Sequence, residues 1–317
     1  MLTSLETVAT VQGADTARAP GRIARAPVRN TALEGFRRRN TLLDAVFYDV
    51  SVISAEEAAG LVPWLAAEGA VLVVPPSEQG AVEVHATIED FAKRAGPPVS
   101  ALAIAGVGSS ALGGAALARN VADATGAPVA AVVSGYGVSD VLTEALGGWF
   151  WFGTINRLRH SLEVAAGAAS KSGSQSLVSV SESYASADTL TVAALLSDAR
   201  FDFRLLVAHS KGNLVMAEAL YAAERVLAAR GAGFPEDLLV VTLGAVITMP
   251  RSCRRVIDVM GVWDGLGRAN SRPDIRVDVP VPWAGHHTNT EIPGHVCVRT
   301  VLSKILADPA PQPTPVP

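Results

Sequence analysis

The stretch Arg204-Leu-Leu-Val-Ala-His-Ser-Lys-Gly-Asn-Leu-Val-Met-Ala-Glu218 decides how this chain is read. Leu205 to Ala208 is a short apolar run of the kind that forms a buried strand. The run breaks at His209-Ser210-Lys211-Gly212, and Leu214, Val215, Ala217 and Leu220 then recur at helical spacing. Strand, sharp turn and helix follow one another with a serine at the apex, the arrangement of a nucleophile elbow. A serine on such a turn stands clear of the sheet edge with its hydroxyl facing a cleft. Its flanks must be small, because a larger side chain would collide with the neighbouring backbone. Ala208 and Gly212 meet that need, with alanine where glycine is usual. The following helix aims its first N–H groups at the reacting centre, where they stabilise an oxyanion. A small-x-Ser-x-Gly match is common by chance; the flanking strand and helix set this one apart.

A serine hydroxyl needs a base within hydrogen-bond reach and a carboxylate to orient that base. Working outward, the run Val256 to Gly261 reads as a strand that ends in Val262-Trp263-Asp264-Gly265. Asp264 therefore stands just past a strand's carboxyl end, although Asp-Gly also favours ordinary turns. Asp258 and Asp278 lie within strand-like runs and are weaker candidates. The run Ile275 to Val281 is followed by Pro282-Trp-Ala-Gly-His-His-Thr-Asn289. His286 and His287 are adjacent, and spacing alone does not separate them as the base. His287 is narrowly preferred, because the turn-prone Thr288-Asn289 follows it. His295 is a third option. His209 adjoins the serine, but elbow geometry directs it away. The order serine, acid, histidine puts each element after its own strand, at one edge of the sheet.

Further out, the chain alternates. Strand-like runs fall near 45–53, 71–75, 101–106, 128–134, 204–208, 238–243, 255–261 and 275–281, with helical patterns near 55–67, 86–95, 110–124, 212–230 and 294–307. Alternation of this kind implies βαβ units and an α/β fold with a mostly parallel central sheet flanked by helices. The central run Leu238 to Leu243 is almost wholly apolar, as expected of a strand covered on both faces. Residues 136–200 break the rhythm and read as an inserted lid over the sheet's carboxyl edge, where ligands bind in open α/β sheets. Trp149, Phe150, Trp151 and Phe152 stand out there because aromatics make up only 5% of the chain. They could wall an acyl pocket or anchor the insertion. Residues 1–40, with seven arginines from Arg18 to Arg39, read as a flexible arm, and 308–317 as a proline-rich tail. The domain between them spans 41–307.

The formal net charge of −4 argues against a general nucleic-acid binder. Cys253 and Cys297 suggest neither a disulfide scaffold nor a metal knuckle. The start lacks the basic and apolar pattern of a secretory signal, and no uncharged apolar run reaches the roughly 18 residues of a membrane span. A cytoplasmic protein is the expectation; oligomeric state is not encoded legibly.

Ala208-His-Ser-Lys-Gly212, followed by Asp264 and Gly285-His-His-Thr-Asn289, resembles the α/β-hydrolase superfamily on its lipase and esterase side, over roughly residues 98–307. Lipases with alanine at the first elbow position belong to that superfamily. The resemblance implies a serine carboxylic-ester hydrolase with a Ser210–His–Asp264 triad, a covalent acyl-enzyme, a small-molecule ester substrate, and no cofactor or metal. Its alternatives are acyl transfer, amide or lactone hydrolysis on the same triad, or a catalytically silent protein that binds a ligand or partner. The superfamily begins with an antiparallel hairpin; here a helix-like stretch, 86–95, precedes the strand at 101–106. That strand runs into Ala105-Gly-Val-Gly-Ser-Ser-Ala-Leu-Gly113. Ala105-Gly106 occupies the superfamily's His-Gly positions, which makes the N–H groups of Val107 and Lys211 the oxyanion donors. A dinucleotide loop is the rival reading, but Gly106-x-Gly108 is followed by glycine at 113 rather than 111, and the strand ending at Ser134-Gly135-Tyr136 lacks the ribose-binding acid.

Overall fold

Eight strands form one sheet in the order β2-β1-β4-β3-β5-β6-β7-β8, where β1 is Val71–Val74, β2 Glu83–His85, β3 Ala101–Ile104, β4 Val129–Val132, β5 Leu205–His209, β6 Leu239–Leu243, β7 Arg255–Gly261 and β8 Val279–Val281. The computed structural model describes residues 2–13, 40–106, 109–134, 186–272 and 276–308. From β4 to β8 every pairing is parallel. Strand β1 runs antiparallel to both β2 and β4, so the sheet is mixed but mostly parallel. The hairpin β1–β2 and the short helix Ile88–Ala92 both precede β3.

The central strands are apolar throughout because both of their faces are covered. Side chains alternate across a strand, and the two cores split by that alternation. Ala101, Ala103, Leu205, Val207, Leu239 and Val241 belong to one core, with the helices Ala111–Thr125 and Val298–Ala307. Leu102, Ile104, Leu206, Ala208 and Val240 belong to the other, with the helices Ala187–Ser197 and Gly212–Ala229. Each fully buried leucine or valine contributes about 1.5–3 kcal/mol, so slipping one strand by a residue would be prohibitive. Alanines at 115, 116 and 118 let the Ala111–Thr125 helix lie close to β3 and β4. Its ends are marked by Ser110, whose hydroxyl accepts the Leu112 N–H, and by left-handed Gly126.

Three expectations are corrected. The run 45–53 is not a strand: residues 40–47 are helical and a 3-10 turn follows at Val50–Val52. Its β-branched residues suggested a strand, but Thr41, Asp44, Ala45 and Tyr48 bury one helical face while Leu42 and Val46 stay exposed. The arm does not begin at residue 1, since Leu2–Gly13 is a helix whose Val8 and Val11 enter the first core. The insertion does not extend to residue 200, because Ala187–Ser197 buries Val192 and Leu195 against the sheet and packs on Gly212–Ala229. The remainder of the expected lid, most of the arm and the proline-rich tail lie outside the described residues.

No described helix is long and apolar enough to cross a membrane.

Candidate active site

Strand β5 ends at His209, and the chain turns through Ser210 into the helix Gly212–Ala229. Ser210 has φ 55°, a left-handed conformation that an L-residue holds at a cost of about 1–3 kcal/mol. The surroundings impose it. The Ser210 N–H donates to Leu243 O at 2.8 Å, and its own carbonyl accepts from the Asn213 N–H at 3.1 Å. Asn213, fully buried, donates its side-chain N–H groups to Leu243 O and Ala245 O at 3.0 and 3.1 Å, which ties the helix start to the end of β6. Gly212 leaves no room for a side chain: a Cβ there would lie 2.4 Å from Ile104 O and 2.6 Å from Ala105 O. The expected steric need for a small residue is met by backbone contacts to the end of β3.

Two further parallel strands deliver the other groups to the same edge. Asp264 lies three residues past β7, and His286 five residues past β8. His286 Nε2 is 2.9 Å from Ser210 Oγ, and His286 Nδ1 is 2.9 and 3.0 Å from the two Asp264 carboxylate oxygens. With its proton on Nδ1, the ring donates to Asp264 and leaves Nε2 to accept from the Ser210 hydroxyl. The preference for His287 is therefore corrected. His287 is turned elsewhere, its Nε2 at 3.3 Å from Ile292 O. His295 is also turned away, its Nδ1 bonded to Ile292 O at 2.9 Å.

Asp264 is 1% exposed and accepts a second hydrogen bond, from the Gly267 N–H at 2.6 Å, as the cap of the short helix Gly265–Asn270. A capped carboxylate cannot rotate freely, so the lone pairs facing His286 are fixed. Gly244, which follows β6, supplies the clearance. It has φ 69°, and a Cβ on it would stand 3.1 Å from His286 Cε1 and 3.3 Å from an Asp264 oxygen. Asp258 is elsewhere, buried in β7 and hydrogen-bonded to Thr242; burial raises its carboxyl to about 6. Asp278 holds the Asp258 N–H at 2.9 Å.

Of the expected oxyanion donors, Val107 lies outside the described residues, as do Trp149 and Trp151 of the proposed acyl wall. Gly106, just before Val107, adjoins the serine: a Cβ on it would be 3.2 Å from Ser210 Cβ. Lys211 occupies the N-cap position of the helix that follows Ser210, without a side-chain cap hydrogen bond. Burial pushes its side-chain ammonium down to about 8, an effect partly offset by the charge of Glu68.

Several groups at the site carry no motif. The His286 loop has no regular secondary structure, and the segment around residues 44–49 holds it. Thr288 donates both its N–H and its hydroxyl to Phe47 O at 2.8 Å. The buried Asn289 donates to Ala45 O at 2.6 Å, Thr290 Oγ1 bonds Asp49 Oδ2 at 2.5 Å, and the Phe47 ring meets the His286 ring edge-on. On the outer rim, exposed Trp263 and Trp283 pack edge to face at a centroid distance of 4.9 Å, immediately before Asp264 and three residues before His286. Their closeness was not visible in a sequence that separates them by twenty positions. Among the described residues no group of three His, Cys, Asp or Glu side chains is arranged to hold a metal ion.

Compared with known proteins, the chain matches no family model, no curated protein and no solved structure.

Proposed function

We propose that the chain is a serine hydrolase of the α/β-hydrolase kind, acting on carboxylic esters through an acyl-enzyme. The observation that carries this is the continuous line Ser210 Oγ, His286 Nε2, His286 Nδ1 and Asp264 carboxylate, each link 2.9 to 3.0 Å long. Its members arise in the order serine, acid, histidine after the separate parallel strands β5, β7 and β8, and the serine sits on a left-handed turn before a helix. The antiparallel hairpin before β3 supports the same reading.

In this reading, Ser210 Oγ attacks the ester carbonyl carbon and its proton passes to His286 Nε2. Asp264 holds the ring in the required tautomer and offsets the charge of the imidazolium. The oxyanion is held by N–H groups at the helix start and in the loop after β3, with Lys211 and Val107 as the donors. Collapse of the tetrahedral species breaks the carbon–oxygen bond to the alcohol, which takes the proton from His286. Water then attacks the acyl-serine, giving one proton to His286, which returns it to Ser210 as the acid departs.

Two measurements test the reading. A fluorophosphonate probe should label the native chain at Ser210, and p-nitrophenyl esters of graded acyl length should be hydrolysed. Ser210→Ala should abolish labelling and lower turnover by about 10⁴ to 10⁶ while the thermal unfolding midpoint holds. Near-normal turnover in Ser210→Ala would sink the proposal.

A further inference from the structure

Buried beside the triad is a second histidine that the mechanism above leaves unused. His209 is 2% exposed, with its Nδ1 at 3.0 Å from the Tyr48 hydroxyl and its Nε2 at 2.8 Å from the backbone carbonyl of His286. Tyr48 is also buried, and its oxygen lies 2.6 Å from the Gly106 N–H. Chemistry fixes the direction of every bond in this set. A carbonyl only accepts, so His209 Nε2 carries a hydrogen. Burial, with the neighbouring His286 ring, pushes the His209 imidazolium down to about 3, so the ring is neutral and Nδ1 is bare. Nδ1 must then accept, the Tyr48 hydroxyl must donate to it, and the phenolic oxygen is left to accept from Gly106. The outcome is one chain from Gly106 N–H through Tyr48 O–H to His209 Nδ1, continuing from His209 Nε2–H to the carbonyl of His286.

The two ends of that chain belong to the two halves of the proposed chemistry. Gly106 opens the loop that holds the proposed oxyanion donor and lies against Ser210. His286 is the proposed base. His209 itself is the residue before the nucleophile. One turn earlier on the helix that leads to Tyr48, Asp44 grips the far end of the same loop. Its carboxyl group bonds Ser109 Oγ at 2.9 Å, Ser110 Oγ at 2.6 Å and the Ser110 N–H at 3.1 Å. Residues 44 and 48 therefore bracket the loop from both sides.

Resting on the hydrolase reading, we propose that Tyr48 and His209 are positioning residues whose hydrogen-bonded chain sets the Gly106 loop and the His286 loop at fixed places around Ser210. They touch no substrate. A shift of about 1 Å in either loop costs on the order of a hundredfold in rate, and the described residues of the two loops share no regular secondary structure that would otherwise keep their spacing.

The test begins with Tyr48→Phe, which keeps the ring and removes one oxygen. With p-nitrophenyl esters, kcat should fall about tenfold to a hundredfold while KM changes little. His209→Gln retains a side-chain N–H for the His286 carbonyl and should keep most of kcat; His209→Leu, which cannot donate, should lose at least as much as Tyr48→Phe. The double variant Tyr48→Phe/His209→Leu should be no slower than His209→Leu alone, because the two act as one unit. Nitrogen-15 spectra of the imidazoles should find His209 protonated only at Nε2, with the Nδ1 signal moving in Tyr48→Phe. Unchanged kcat in Tyr48→Phe with a lower unfolding midpoint would overturn the relay, as would losses that multiply in the double variant. If His209→Leu fails to fold, Tyr48→Phe, His209→Gln and the spectra still decide. A native protein inert toward every ester and probe would overturn the hydrolase reading and the relay's purpose with it, whereas a reactive native protein indifferent to Tyr48→Phe overturns the relay alone.

Discussion

Ser210 is held by the strand before it, the helix after it and the strand beside it. His286 sits on a loop pinned by Phe47 and Ala45, which lie 241 and 244 positions from the residues they bind. The first region is rigid because a parallel sheet and a close-packed glycine allow one backbone path. The second is rigid because polar side chains reach across the molecule to it. Buried hydrogen bonds of that kind add modestly to stability while they are made, and cost about 1–3 kcal/mol each when one partner is lost. The proposed nucleophile, built into the sheet, and the proposed base, tethered from afar, should therefore fail in different ways.

The largest expected effect separates the two histidines of the tethered loop. His286→Ala should lower turnover by several orders of magnitude, and His287→Ala by no more than a few-fold, in the same ester assay. Equal losses would mean that the loop rearranges between the two rings. Next is Gly212→Ala, which breaks the region built into the sheet. Its new methyl would overlap the Ile104 and Ala105 carbonyls, so the helix or β3 must shift. Overpacking of this sort costs about 1–3 kcal/mol or more, and both the unfolding midpoint and probe labelling should fall together. Smallest is Asn289→Ala in the tethered loop. It removes bonds to Ala45 O and Ser4 Oγ and leaves Glu291 N–H without the Asn289 oxygen. The expected loss is about 1–3 kcal/mol of stability, with labelling slowed less than in Gly212→Ala. Should Asn289→Ala prove the more damaging of the two, the contrast between the regions would be reversed.

The same contrast explains what could be read from the chain in advance. The parallel strands were legible because each is an apolar run bounded by polar turns, and β5, β6 and β7 lie where the runs at 204–208, 238–243 and 255–261 put them. Ser210 and Asp264 were legible as positions because a strand end is a local feature. The choice of His286 over His287 was not, since it depends on which ring the distant Phe47 and Gly244 admit. Tyr48 and Asp44 were missed for a related reason, and His209 was set aside because its partners Tyr48 and the His286 carbonyl are distant in sequence. Residues 45–53 contain enough β-branched and aromatic side chains to suggest a strand, and only the buried pairing of Asp44 with Ser109 and Ser110 explains a helix with a carboxylate on its inner face. That carboxyl is raised to about 7 by burial, with the serine bonds opposing. The helix at Leu2–Gly13 has few charges and little of the apolar stripe that would distinguish it from an arm.

The distance in sequence between Phe47 and Thr288 also has a meaning in time. A ribosome adds about 5 to 20 residues per second, so tens of seconds separate the emergence of these partners. The serine elbow can form as soon as β3, β5, β6 and their helices are out. The loop that carries His286 follows them and docks on a segment synthesised 241 to 244 residues earlier. Until it docks, Ser210 lacks its proposed base. A nascent chain therefore passes through about 2 to 9 seconds, the time to add the residues from Leu243 to His286, with the proposed nucleophile in place and its proposed base still to come.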